Sequence, residues 1–326
     1  MPSPRVLAFD AGGTKLLGGV VDSDMVVHHR SWRLIAGLER DELLDIFAET
    51  VAEGQAAAPD AVAVGFGIPS VIDRRRGLSV ESVHLPLDDL HFGAALEERV
   101  GLPVAWDNDT NLALLAELRL GAARGASEAL MLTIGTGIGG ALVLGGELYR
   151  GSAGAAGELG HMVVDLDGPP CQGGCPNRGC LEVIASGTAI GREGAIAAEA
   201  APDSALGHAV GNGHPATGAL VTALARSGDA VAGEVVELVG RRLGAGIASL
   251  VNVFNPEVVV IGGGAMGAGE LLLGPARAVV GQTALRPSRD EVRVVPARFG
   301  DDAGLVGAGL AAFELADGGQ GEKRWR

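Results

Sequence analysis

The sequence predicts an α/β protein of two domains, and three observations carry that prediction. A strand, a glycine turn and a returning strand occupy residues 6–21, and the same pattern recurs about 125 residues later at 130–144. Between the two, apolar helical and strand patterns alternate. A third glycine turn, Gly262-Gly263-Gly264, follows a buried-looking strand towards the C-terminus. The recurrence reads as an internal duplication, with one such unit opening each domain.

Taken in order, residues 6–9 are a short apolar strand ending at Asp10, Ala-Gly-Gly-Thr-Lys is a tight turn, and 16–21 return as a strand. An apolar-periodic helix over 42–53 leads to a strand at 61–66 and the turn Gly67-Ile-Pro-Ser70. A strand at 104–106 ends in Asp107-Asn-Asp-Thr-Asn111, and a helix runs from Leu112 with Asp109 or Thr110 as its N-cap. The strand 130–134, the turn Gly135-Thr-Gly-Ile-Gly-Gly140 and the strand 141–144 form the second unit. Residues 165–179 are a glycine- and proline-rich loop, and 202–218 read as a mobile surface connection. Asp229 caps a long helix broken at Asn255-Pro256; a buried strand spans 258–261, and a helix over 302–316 closes the fold. The predicted domains are 1–109, completed by that last helix, and 110–301.

Composition narrows the function. With 47% apolar residues, 3% aromatic and 53 glycines among 326, the core is expected to be aliphatic and tightly turned. A net charge of −15 argues against an extended nucleic-acid footprint, which needs a basic stripe. It leaves room for a nucleotide whose phosphates are neutralised by magnesium and backbone N–H groups. The N-terminus has no basic leader or cleavage pattern, and no apolar run is long enough to span a bilayer, so a cytoplasmic protein without a membrane partner is expected. Of 25 cationic residues only Lys15 and Lys323 are lysine, the first inside a glycine turn and the second in a frayed-looking tail.

All three cysteines, Cys171, Cys175 and Cys180, fall within ten residues, and His161 stands ten residues before the first. Three thiols and an imidazole are a complete tetrahedral shell for structural zinc. In a reducing compartment, clustered cysteines read as metal ligands before disulfides. Glu158 and Glu182 flank this segment, so a metal staple over 161–180 would fix two carboxylates that are not ligands themselves.

Two stretches, beginning at Gly135 and Gly262, match G-x-G-x-x-G by letter. The first is followed by a strand and the second has no βαβ continuation, so neither is a dinucleotide fingerprint. Gly-Gly-Thr-Lys lacks the gap and helix of a Walker loop. The arrangement left is actin-like (ribonuclease H-like), with two hairpin turns from two domains holding phosphates in a cleft and a third turn beside the adenosine.

Asp10-Ala-Gly-Gly-Thr-Lys15, Gly67-Ile-Pro-Ser70, Asn108-Asp109, Gly135-Thr-Gly-Ile-Gly-Gly140, Gly157-Glu-Leu-Gly-His161, Gly179-Cys-Leu-Glu182 and Ile261-Gly-Gly-Gly264, in this order, resemble the ROK family of repressors and sugar kinases. The resemblance implies ATP-dependent phosphorylation of a hexose, first of all glucose at its 6-hydroxyl. Asp109 would be the general base and Asn108 would hold a neighbouring hydroxyl. Glu158, His161 and Glu182 would contact the sugar, with the other ring nitrogen of His161 on zinc. Asp10 would position magnesium. Gly12, Gly13, Thr14, Lys15, Thr136 and Gly137 would surround the phosphates, and Gly263 and Gly264 the nucleoside. A homodimer or higher homo-oligomer is expected.

N-acetylhexosamine, mannose and fructose kinases, a polyphosphate-using glucokinase and a non-catalytic sugar sensor stand as alternatives, as does an actin-like filament ATPase. Only nine residues precede Asp10, which leaves no DNA-binding segment of the repressor kind. The cysteine spacing is C-x3-C-x4-C where the family's is C-x-C-x4-C, and Ser70 stands where many relatives have glycine.

Overall fold

The computed structural model describes residues 4–318, so the expected frayed tail with Lys323 and the first three residues of the N-terminal segment lie outside it. The chain forms two compact units. One comprises the residues up to Gly125, Leu148–Gly157 and those from Arg298 onward; the other comprises Ala126–Glu147 and Glu158–Ala297.

The first unit begins with β1 (Arg5–Ala11), β2 (Lys15–Asp22), β3 (Val27–Leu34), α1 (Arg40–Ala57) and β4 (Ala61–Ile68). A small hairpin of β5 (Val71–Asp73) and β6 (Leu78–Glu81) follows, then α2 (Phe92–Val100), β7 (Val104–Asn108) and α3 (Asp109–Leu120). The sheet order is β3-β2-β1-β4-β7, with β1, β4 and β7 parallel. In that register Asp10 stands opposite Gly67, Gly67 opposite Asp107, and Ile68 opposite Asn108. The carboxyl ends of three neighbouring strands therefore carry the predicted chemistry, the position where open α/β sheets bind ligands.

The second unit contains β8 (Ala129–Ile134), β9 (Ile138–Leu144), the first residue of β10 (Glu147–Leu148), α4 (Leu181–Ala185), α5 (Gly187–Ala200) and α6 (Ala205–Gly211). It continues with α7 (Gly218–Arg226), α8 (Ala230–Phe254), β11 (Val258–Gly262), α9 (Glu270–Thr283), α10 (Ser288–Glu291) and β12 (Arg293–Pro296). Its sheet runs β10-β9-β8-β11-β12. The returning strand β9 starts three residues before its predicted start, because Gly139 and Gly140 pair in the ladder with Thr133 and Leu132. The predicted surface connection at 202–218 is also corrected. Ser204 Oγ accepts the Gly207 N–H at 2.9 Å and Thr217 Oγ1 accepts the Leu220 N–H at 3.1 Å, so two caps start α6 and α7 there. The long helix is as read: Asp229 Oδ1 accepts the Ala232 N–H at 2.7 Å, and Asn255 ends it in the left-handed region at φ 48°.

The chain then returns to the first unit with α11 (Ala303–Ala316). The sheet there is covered on both faces by the alternation along β1. Leu7 and Phe9 face a core with α1 and α2, while Val6 and Ala8 face α3 and α11. Composition predicts an aliphatic core, yet the largest fully buried side chains are Phe9, Phe47, Phe66, Phe92 and Phe313. Phe9 and Phe66 stack at 4.8 Å and Phe92 meets Phe66 edge-on at 5.7 Å, so four of these five rings cluster on one face of the sheet, with Phe313 in the core on the other. Glycines let α11 sit directly on its neighbours: a β-carbon at Gly65 would overlap the Ala308 carbonyl, and one at Gly307 the Leu112 carbonyl.

The unit boundary lies at Gly125 and not at Asp109, as the sequence had placed it. All of α3 packs against α11 and the sheet that launches it. A wholly buried carboxylate completes the anchorage. Glu117 accepts the Ala122 N–H at 2.7 Å and the Phe299 N–H at 2.9 Å, tying to α3 the segments beside the first and last crossings between the units. Among the described residues no helix is long and apolar enough to cross a membrane.

Candidate active site

In the first unit the site is built on the ends of β1, β4 and β7. Asp10 is the penultimate residue of β1, and the Gly12–Lys15 hairpin turn beyond it is held by the Gly12 N–H on the Lys15 carbonyl at 2.8 Å. Thr14 and Lys15 are exposed and Gly12 and Gly13 partly so, which leaves the turn open to a ligand. The Asp10 carboxyl lies against Gly304, where a β-carbon would overlap it. Burial, and then the charge of Asp109, push its pKa up to about 7. Two carboxylates that repel one another at the end of a strand are a donor set suited to a hard divalent cation, so Asp10 fits the predicted magnesium role.

The helix cap is Asn108, and neither Asp109 nor Thr110 as read from sequence. Its Oδ1 accepts the Thr110 N–H at 2.9 Å and the Asn111 N–H at 3.2 Å, while its Nδ2 reaches the Ser70 carbonyl at 3.4 Å. Asp109 is the first helical residue, and its Oδ1 accepts the Thr110 N–H at 2.7 Å.

Sequence reasoning missed what holds this corner. Asp107, with a side chain only 5% exposed, accepts from Arg74 Nη1 and Arg150 Nε, both at 2.7 Å, on one oxygen. Its other oxygen accepts the Asn108 N–H at 2.8 Å and Asn111 Nδ2 at 3.1 Å. One carboxylate thus binds the end of β7, the first turn of α3, the β5–β6 hairpin and the segment Leu148–Gly157. No sequence spacing links 74, 107 and 150; only the fold joins them.

In the second unit the turn after β8 is closed by the Gly135 N–H on the Gly137 carbonyl at 2.9 Å. The start of α5 secures it: the Gly187 N–H donates to the Gly135 carbonyl at 2.8 Å and Thr188 Oγ1 to the Thr136 carbonyl at 2.7 Å. Glu182, in the first turn of α4, accepts the Ile138 N–H at 2.9 Å, and its carboxylate fills the space a side chain at Gly137 would need. A cavity of about 980 Å³ opens beside this turn, lined by Thr136, Thr188, Arg192, Thr222 and Gly264 among others. That is ample for a nucleoside. Thr136 and Gly264 line it, whereas Gly137 and Gly263 do not; Gly263 instead packs its backbone on Ile134 at φ 85°. The walls from α5 and α7 were not read from sequence. The one local signal for them is Ser186-Gly-Thr188, a helix start directly after the glutamate motif.

The metal set gathers as read. The ligand atoms of His161, Cys171, Cys175 and Cys180 lie within 4.8 Å of one another, and Cys171 Sγ is 3.5 Å from His161 Nδ1. Thiolates about 2.3 Å from a shared zinc ion would need little adjustment from this spacing. Burial, with the neighbouring Cys180 and Cys175 thiols, pushes Cys171 up to about 12, a penalty that a bound divalent cation removes. The lengthened gap is used: Gln172 Nε2 reaches the Thr136 carbonyl at 3.4 Å. Glu158 is exposed just before the single helical turn that carries His161, and its carbonyl accepts the His161 N–H at 3.1 Å. Glu182 Oε1 lies 3.9 Å from Cys171 Sγ, so this glutamate adjoins the candidate metal-ligand set.

The chain is 34% identical over 316 residues to the glucokinase of Streptomyces coelicolor, covering 94% of this chain and 97% of that protein. It is 35% identical over 322 residues to the glucokinase of Thermotoga maritima, covering 98% and 100%. The crystal structure of a ROK family glucokinase from Streptomyces griseus in complex with glucose and AMPPNP superposes with a TM-score of 0.85 at 33% identity, over 95% of this chain and 99% of that one. Residues 6–314 match the ROK family, and with the ordered motifs and the fold in agreement over that span, the chain belongs to the ROK family.

Proposed function

We propose that this protein is an ATP-dependent hexose kinase that converts glucose to glucose 6-phosphate in the cytoplasm. The observation that carries the reading is the corner formed by Asp10, Asn108 and Asp109 at the ends of β1 and β7. There a carboxylate suited to act as a base, an amide suited to hold a hydroxyl and a carboxylate suited to a cation adjoin an exposed glycine turn, which supports the reading. Similarity to glucokinases over nearly the full chain supports the choice of substrate and donor.

Asp109 takes the proton of the sugar's 6-hydroxyl as that oxygen forms its bond to the γ-phosphorus. The bond from this phosphorus to the β–γ bridging oxygen breaks, and ADP leaves with the electron pair. The transition state is loose, so positioning and charge neutralisation do most of the work. Backbone N–H groups of the Gly12–Lys15 turn and the Lys15 ammonium hold phosphate oxygens. Magnesium, when bound near Asp10, neutralises charge on the phosphates. The cavity walled by α5 and α7 receives the nucleoside. Glu158, His161 and Glu182 orient the sugar; His161 and the three cysteines would hold a zinc ion, and four protein ligands would make its role structural. A bulky 2-acetamido group would leave the polar partners near His161 unpaired, which favours glucose over N-acetylglucosamine.

A coupled assay of ADP release with ATP over glucose, mannose, fructose and N-acetylglucosamine tests the reading. The highest kcat/KM is expected with glucose. Preference for another hexose overturns the substrate, and no ADP release with any of them overturns the kinase.

A further inference from the structure

The turn after β4 contains a polar atom that the fold leaves unused. Ser70 is 4% exposed, and its Oγ has no hydrogen-bond partner among the described residues. The rest of the turn is pinned. The Ser70 N–H donates to the Ile68 carbonyl at 2.9 Å, the Ser70 carbonyl accepts from Asn108 Nδ2 at 3.4 Å, and Ser82 Oγ donates to the Pro69 carbonyl at 2.8 Å. A buried hydroxyl without a partner is unfavourable, and it persists where something else supplies the partner.

Its neighbours belong to the proposed catalytic corner. Ile68 is the register neighbour of Asn108. A β-carbon placed on Gly67 would stand 3.2 Å from Asp10 Oδ1 and 3.4 Å from the Asp109 Cα. The turn is therefore pressed against the proposed base and shares a hydrogen bond with the amide proposed to hold the adjacent sugar hydroxyl. We infer that Ser70 Oγ is a specificity contact that pairs with the ring hydroxyl next to the one held by Asn108. The inference rests on the hexose kinase reading. A hydroxyl can both donate and accept, so Ser70 suits a free sugar hydroxyl and discriminates against a hexose lacking it at that position.

The test compares wild type with Ser70→Ala on glucose and on 2-, 3- and 4-deoxyglucose, measuring kcat and KM in the ADP-release assay and sugar affinity by calorimetry without ATP. Ser70→Ala removes an unpaired hydroxyl and nothing else, so its melting temperature should equal or exceed that of wild type. On glucose, kcat/KM should fall about 3- to 10-fold, mainly through KM. One deoxyglucose should be used equally well by both proteins, because the partner is then missing from the sugar. An equal loss on every sugar, or no loss on any, overturns the contact. Wild type that binds glucose without turnover overturns the kinase reading alone, and the calorimetric comparison of the two proteins still decides the contact.

Discussion

Replacing Asp10 with asparagine should make the ligand-free protein more stable in alkaline solution and have no such effect in acid. Burial and the Asp109 charge raise the Asp10 pKa from 3.8 to about 7 in the folded chain. Below pH 3.8 the carboxyl is protonated, folded or unfolded, and costs nothing. As pH rises towards 7, the unfolded chain ionises first, the folded state holds more protons, and stability falls. Above about 7 the penalty is complete. A shift of about three units corresponds to roughly 4 kcal/mol, and to about 2 kcal/mol once the part of Asp10 that solvent reaches is allowed for. The amide introduced by Asp10→Asn carries no charge at any pH. At pH 8 the variant should melt about 4–8 °C above wild type, with the difference vanishing near pH 4. Thermal melts in EDTA across this range make the comparison, and the same variant should lose turnover. A stability difference that does not change with pH would refute the reasoning, as would full additivity with Asp109→Asn, since the two carboxylates are argued to repel one another.

Asp109→Asn keeps shape and hydrogen-bonding capacity but cannot take a proton, so kcat should fall by about 10²–10⁴ while calorimetric glucose affinity is retained; near-normal kcat would reduce Asp109 to a structural residue of the first helical turn. Metal analysis of protein purified without added zinc should find about one zinc per chain, and a strong chelator should lower the melting temperature. A metal-free preparation with unchanged melting and activity would sink the zinc site. Asp107→Asn leaves Arg74 and Arg150 without their shared carboxylate. With those arginines 45% and 28% exposed, the loss should be about 1–3 kcal/mol, less than for a fully buried pair, accompanied by lower kcat as the Asn108–Asp109 corner loosens. Unchanged melting and kcat would show that the corner is held by the backbone alone.

The sequence by itself determined the parts whose physics is local. The turns at Gly12–Lys15 and Gly135–Gly137 are legible because a glycine turn between apolar strands has few other solutions, and Gly262–Gly264 because it ends a short buried apolar strand. The candidate metal-ligand set is legible because its four residues lie within twenty positions and no other cysteine competes for the role. Asp229 and Asn255 mark the ends of α8 for the same reason, since a cap is chosen by its nearest neighbours. Where two local candidates competed the reading failed: Asn108 caps α3 because its side chain, one residue before the helix, can reach two N–H groups. The caps at Ser204 and Thr217 were hidden by the surrounding glycine and proline.

Tertiary structure alone decided the long-range pairings. Arg74 and Arg150 meet on Asp107, Glu117 binds a backbone group 182 residues away, and the buried Ser70 hydroxyl is left without a partner among the described residues. The unit boundary at Gly125 and the cavity beside Thr136 belong with these, since both depend on which helices pack together. A carboxylate's sequence neighbours do not say which distant donors the folded chain will bring to it. Burial then makes those donors obligatory, and so these contacts govern the site although no motif announces them.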